Sequence, residues 1–218
     1  MTSAKTPGLA TMQAVLSQPR MMTYERAACS NPDRAVRLYE WNAKMAAALM
    51  FPMHFAEVST RNAVSEGIEA VYGSSWPWNQ TFERSLPVAP RGFNARQELV
   101  DVRRRQPTTG KVVAELKFVF WQKMFTGRFD GRLWNHQILG LFPHSSVTDA
   151  AQLRSRIYSD LEVIRLLRNR MAHHEPIFSR NLNDELTQIL DLVELRSVTL
   201  SAWVRATEGA TALLPTKP

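Results

Sequence analysis

Leu166-Leu167-Arg168-Asn169-Arg170-Met171-Ala172-His173-His174-Glu175-Pro176 closes a long stretch of good helix formers that opens after Asp149. The apolar residues before it, Leu153, Ile157, Leu161 and Ile164, recur in steps of three and four. That is the period of one helical face. The spacing predicts a helix capped by Thr148 or Asp149. It should run to about His174, because the residue before Pro176 is disfavoured in helical geometry. Continuing the stripe through Arg168 to Met171 puts a guanidinium where the pattern asks for a hydrophobe. Such a placement is costly unless compensated. Either a carboxylate meets Arg168, or it faces a cleft where phosphate binds. Asn169 and His173 are four apart and share a face, so the Asn169 amide is placed to orient the imidazole. Arg168 and His173 stand about 140° apart around an ideal helix. They converge only if the Arg side chain reaches around or the last turn loosens. On spacing alone, His173-His174 can equally be no more than a helix end.

The same period governs the rest of the chain. Helical patterning starts near Met12 and Ala14. Asn31-Pro32-Asp33 is a break followed by a helix start. Arg34 to Met50 is helical by composition, Pro52 kinks or breaks it, and a further helix runs from Met53 to Tyr72. Residues 74–92, with Pro77, Pro87, Pro90 and Gly92, read as an irregular loop. A short helix spans Asn94 to Arg105. Lys111 to Phe125 is apolar on nearly every side, as a central buried helix would be. Gly131 to Phe142 and Leu182 to Ala206 complete the set, with residues 1–12 and 209–218 expected to be loose. No strand alternation and no internal repeat is present. The expectation is a single all-α domain over 1–218.

Composition narrows the function classes. The chain has 218 residues, a net charge of +7 and a pI near 10.0. An excess of Lys and Arg attracts the phosphates of RNA or DNA. The single cysteine, Cys29, excludes an internal disulfide and a cysteine-based zinc site. His54, His136 and His144 are read as structural or exposed. No zinc-protease His-Glu-x-x-His pattern occurs. No apolar run approaches the roughly 20 residues of a membrane span, and Met1 to Ala10 lacks the order of a signal peptide. The reading is a cytoplasmic protein without membrane contact. Trp76, Trp78 and Trp121 are assigned to the core rather than to base stacking.

Arg168-Asn169-Arg170-Met171-Ala172-His173 resembles the HEPN signature, an Arg followed by a polar residue and, after four to six residues, a His. The wider string to Ile177 is similar to its abortive-infection (Abi) form. Glu57-Val58-Ser59-Thr60-Arg61-Asn62-Ala63 resembles that family's N-terminal helix. Gly110 to Leu116, Phe120-Trp121, Leu133-Trp134 and Phe142-Pro143 resemble its middle block. The resemblance covers about Tyr39 to Leu195. It implies a HEPN-like helical bundle with additional N-terminal and middle helices, forming a homodimer through the motif helices. It also implies a metal-independent endoribonuclease needing no cofactor, acting as an abortive-infection toxin in phage defence. An antitoxin partner, RNA or protein, would hold such a toxin in check. Some HEPN proteins are non-catalytic RNA- or protein-binding modules, and family membership alone does not decide activity.

Under that reading His173 is the general acid/base, Arg168 clamps the phosphate, and Asn169 orients His173 or contacts RNA. Glu57, Arg61, Asn62, His174 and Glu175 support the site. Glu57 and Arg61, four apart, form either a surface ion pair or a pair that positions Arg168 or the phosphate. Glu175 aids the site or salt-bridges Arg170. Arg170, Arg103, Arg104, Arg105 and Lys117 are candidate RNA-backbone contacts, although Arg103-Arg104-Arg105 also reads as a solvated charge run. No metal site is expected, since His173, His174 and Glu175 are sequence neighbours pointing about 100° apart and cannot easily share one ion.

Overall fold

The computed structural model describes residues 6–218, and all regular structure among them is helical. The expected N-terminal looseness at residues 1–5 lies outside the described residues. From Leu9 onward the chain is ordered into α1 (Leu9–Leu16) and α2 (Gln18–Ala27). The spine of the molecule is α3, Pro32–Tyr72, a single helix of 41 residues. Asn31 starts it, its side chain accepting from the Arg34 N–H. The expected interruption at Pro52 does not occur. Pro52 is buried within the helix, where tertiary packing offsets the missing N–H···O bond.

Around the far end of α3, the expected irregular loop is partly structured. It holds a 3-10 turn at Trp76–Trp78 and α4 (Gln80–Ser85). Trp76 is fully buried and donates to Ser65 Oγ at 3.1 Å, which fastens this segment to α3. Next come α5 (Ala95–Arg105), α6 (Thr109–Glu115) and α7 (Phe118–Met124). The expected single helix over Lys111–Phe125 is therefore two, broken at Leu116-Lys117, both of which are extended. One straight helix would send a run that is apolar all round partly into solvent. The break lets Val112, Leu116, Phe120, Trp121 and Phe125 all reach the core.

A π-helical turn (Asp130–Trp134) leads into α8 (Asn135–Leu141). Trp134 stacks on Phe125 at 4.7 Å and donates to the Met124 carbonyl at 2.7 Å. The motif helix α9 is Ala150–Ala172, capped by Asp149. The last expected helix is again two, α10 (Leu182–Arg196) and α11 (Val198–Thr207), because Ser197 caps the Leu200 N–H and turns the chain back. The C-terminal residues are not loose. Ala210–Leu213 forms α12, Ala210 is buried, and Trp41 Nε1 donates to the Leu213 carbonyl at 2.9 Å. The core lies where α3 meets α7, α9 and α10, with Leu49, Met53, Val64, Leu161, Ile164 and Ile189 essentially inaccessible. No described helix is long and apolar enough to cross a membrane.

Candidate functional site

The end of the motif helix is a built structure. His173 closes α9, its N–H bonded to the Asn169 carbonyl at 3.0 Å. His174 follows with φ of 55°, and its N–H reaches the Met171 carbonyl at 3.1 Å. The Glu175 N–H reaches the Arg170 carbonyl at 2.8 Å. These two bonds form a Schellman motif, with His174 at the left-handed position that glycine usually fills. Pro176 then prevents any further helical turn. Arg170 closes the turn from the side. It donates to the Pro176 carbonyl at 2.9 Å and stands 3.8 Å from the Glu175 carboxylate. Of the two roles open to Glu175, the pairing with Arg170 is thus present.

Arg168 is not on the buried stripe. That position belongs to Leu167, which is fully buried, while the Arg168 side chain is 38% exposed. The ambiguity came from the helix itself, since 167 and 168 are three and four residues beyond Ile164 and both satisfy the period. From α3, Glu57 approaches Arg168 Nε at 4.0 Å. Glu57 turns to Arg168, and among the described residues no ion pair joins it to Arg61. Arg61 Nε is shielded from solvent and has no hydrogen-bond partner there. The α3 block and the motif helix, far apart in sequence, therefore meet at Glu57 and Arg168.

The expected Asn169–His173 side-chain bond is absent. Only the Asn169 backbone engages His173, and no hydrogen bond among the described residues joins the His173 imidazole to Arg168 or Asn169. His173, His174 and Glu175 are exposed, and so is Asn62. Asn62 borders a different, shallow depression with Ser65 and Glu66.

The more distant candidates are occupied elsewhere. Arg103 is held by Glu83 at 2.6 Å and by the Pro77 carbonyl, so it is not part of a solvated run. Arg105 pairs with Glu115 at 2.8 Å, Lys117 with Glu98 at 2.9 Å, and Arg104 weakly with Asp101 at 3.9 Å. Trp76 and Trp121 are buried as expected, whereas Trp78 is 40% exposed. Among the described residues no three His, Cys, Asp or Glu side chains gather at metal-ligand spacing.

Sequence reading missed the residues that hold the motif in place. Asn42 of α3 is buried, and its Oδ1 accepts from both Ile177 N (2.7 Å) and Phe178 N (3.2 Å), pinning the segment after Pro176. Arg20 of α2 donates to the His174 carbonyl at 2.6 Å. A second group lines α9 before the motif. Buried Gln122 donates to Glu162, which also accepts from Arg165 at 2.6 Å. The Arg165 bond, more than any other influence, holds the Glu162 carboxyl below its usual range. One signal was available for Asn42: it is a lone amide on an otherwise apolar turn, Trp41-Asn42-Ala43. No family model matches the chain, and no curated protein and no solved structure is significantly similar to it.

Proposed function

We propose that this protein is a metal-independent endoribonuclease of the HEPN kind, an abortive-infection effector that works as a dimer in the cytoplasm and cleaves RNA through attack by its own 2′-OH. One observation carries the reading. Arg168 of α9, more than one-third exposed, is met at 4.0 Å by Glu57 of α3, so the two blocks of the family resemblance come together at an open guanidinium. An accessible guanidinium held by a carboxylate is suited to a phosphate.

His173 of one copy takes the 2′-OH proton as the oxygen attacks the adjacent phosphorus. His173 of the second copy gives a proton to the departing 5′-oxygen as the P–O5′ bond breaks. The products are a 2′,3′-cyclic phosphate and a 5′-OH. Arg168 offsets the charge that builds on the phosphorane, and Glu57 orients its guanidinium. The exposed, unpartnered His173 suits a group that meets its reaction partner only when a second chain or RNA is present. The same isolation favours the alternative, a non-catalytic RNA- or protein-binding module. An antitoxin partner, RNA or protein, would act by covering this exposed turn.

Purified protein incubated with total RNA in EDTA separates the two. Cleavage that persists in EDTA and disappears in His173→Ala is the expected result, with folding stability changed by no more than about 0.5 kcal/mol. RNA binding should survive His173→Ala better than Arg168→Ala. Wild-type cleavage by His173→Ala, or activity restored only by a divalent metal, defeats the mechanism.

A further inference from the structure

A cavity of about 300 Å³ lies beside the motif, between α2, α3 and the turn after α9. That size is at the lower end for small-molecule sites and admits one heterocycle. Its floor is the small-residue face of α3 at Ala43, Ala46 and Ala47. Tyr24 and Tyr39, packed edge to face at 4.9 Å, form one wall. Met171 lies opposite, and His174 and Glu175 stand at the mouth.

Asn42, 6% exposed, also lines this cavity. Its orientation is fixed by chemistry. Two backbone N–H groups converge on Oδ1, so a flipped amide would set donors against donors. Nδ2 is thereby assigned, and it has no acceptor among the described residues. The cavity thus holds a nine-tenths buried side chain with a spare donor. Glu175 supplies the complement, a carboxylate whose nearest cation, Arg170, is 3.8 Å away. Burial, with Tyr39 close by, pushes the Tyr24 phenol up to about 12 against the pull of Arg20, so that wall stays neutral.

We infer that this cavity is a nucleobase pocket that selects guanine. Guanine presents a carbonyl, O6, next to two donors, N1–H and N2–H. O6 accepts from Asn42 Nδ2, and the N–H edge donates to Glu175. Adenine reverses the first requirement. Cytosine and uracil offer only one donor site on that edge. The flat ring lies against the apolar floor and the tyrosine wall. The pocket's part in choosing a cleavage site rests on the ribonuclease reading, but binding of the base does not.

The test is calorimetric titration of the full chain with GMP, AMP, CMP and UMP, each in turn. GMP should bind tightest. Asn42→Asp keeps an oxygen for both backbone N–H groups and removes the donor. Glu175→Gln alters an exposed side chain and spares the core. Each should weaken GMP by about ten-fold or more, the scale of one lost hydrogen bond to a buried or charged group. If Asn42→Asp does not fold, Glu175→Gln and the four-nucleotide ranking still decide. No nucleotide binding, equal affinity for all four, or GMP affinity unchanged in Glu175→Gln overturns the pocket, whatever the RNA assay gives. RNA cleavage without guanine preference removes the pocket's part in choosing the cleavage site and leaves the nuclease. GMP binding without cleavage does the reverse.

Discussion

His174 adopts a left-handed conformation that costs a side-chain-bearing residue roughly 1–2 kcal/mol, although His tolerates it better than most. The Schellman bonds and the Arg20 contact hold it there. His174→Gly removes that strain but adds disorder to the unfolded chain. A net gain of about 0.5 kcal/mol is expected, seen as a Tm rise of about 1–2 °C, whereas His174→Ala should give none. A drop in Tm for the glycine variant would mean that the imidazole itself braces the turn. Arg168 carries a separate expectation. It is more than one-third exposed and its partner is at 4.0 Å, so Arg168→Ala should cost less than about 1 kcal/mol while abolishing cleavage. Chemical denaturation and an RNA assay on the same preparation check both halves; a loss of several kcal/mol would restore the buried-cation picture that the stripe suggested. The motif helix and its end at Pro176 were legible in the sequence because caps, period and proline are local signals. Their contacts were not. Nothing in the spacing of Glu57 and Arg61 says that the carboxylate turns to another helix.

At the scale of elements, polar caps were the readable punctuation. Asn94 and Asp149 accept the first orphan N–H groups of α5 and α9, and both helices start where the sequence put them. Ser197 caps α11 in the same way, but a continuous apolar period hid it. The α6–α7 break carries no such mark at Leu116-Lys117, because it answers to the core and not to local preference. Pro52 misled for the converse reason: a strong local preference lost to packing along α3. Within α9, Asp160 yields a test of electrostatics. Burial raises its carboxyl above the usual value, and Asp191 adds to this, outweighing Arg156 at 3.6 Å. A raised folded-state value means that the fold prefers the protonated acid. The stabilisation is full below the unfolded value near 3.8 and fades as pH rises through the folded one. Asp160→Asn should therefore gain stability over wild type at pH 7, and the gap should narrow at pH 3. Melting curves at the two pH values measure this, and a variant less stable at pH 7 would show that the Arg156 pair dominates.

For the whole molecule, the all-helical class followed from the 3.6-residue period, and the net charge of +7 from simple counting. Which surface stays open did not, because the exposure of an apolar side chain is set by the final packing. Several large apolar residues remain at the surface. Phe51 and Trp203 pack against each other at 6.0 Å on one patch, and Leu166, two residues ahead of Arg168, is 44% exposed. The proposed dimer needs the motif helices to face each other, and Leu166 is the apolar side chain that α9 offers beside the motif. Covering it in an interface would add apolar burial. Within one chain, His173 and Arg168 share no hydrogen bond, and in the proposed dimer the second copy supplies the other half of a shared cleft. Leu166→Glu leaves the core untouched and sets two carboxylates against each other across a two-fold interface. The expected outcome is a monomer by light scattering at micromolar concentration, with wild-type helicity and a Tm within a few degrees, and without RNA cleavage. Wild-type protein diluted below its dimer dissociation constant should lose cleavage per chain in parallel. A Leu166→Glu protein that stays dimeric moves the interface away from α9. A monomer that cleaves at the full rate per chain shows that one copy of Arg168 and His173 suffices, and the shared cleft is then wrong.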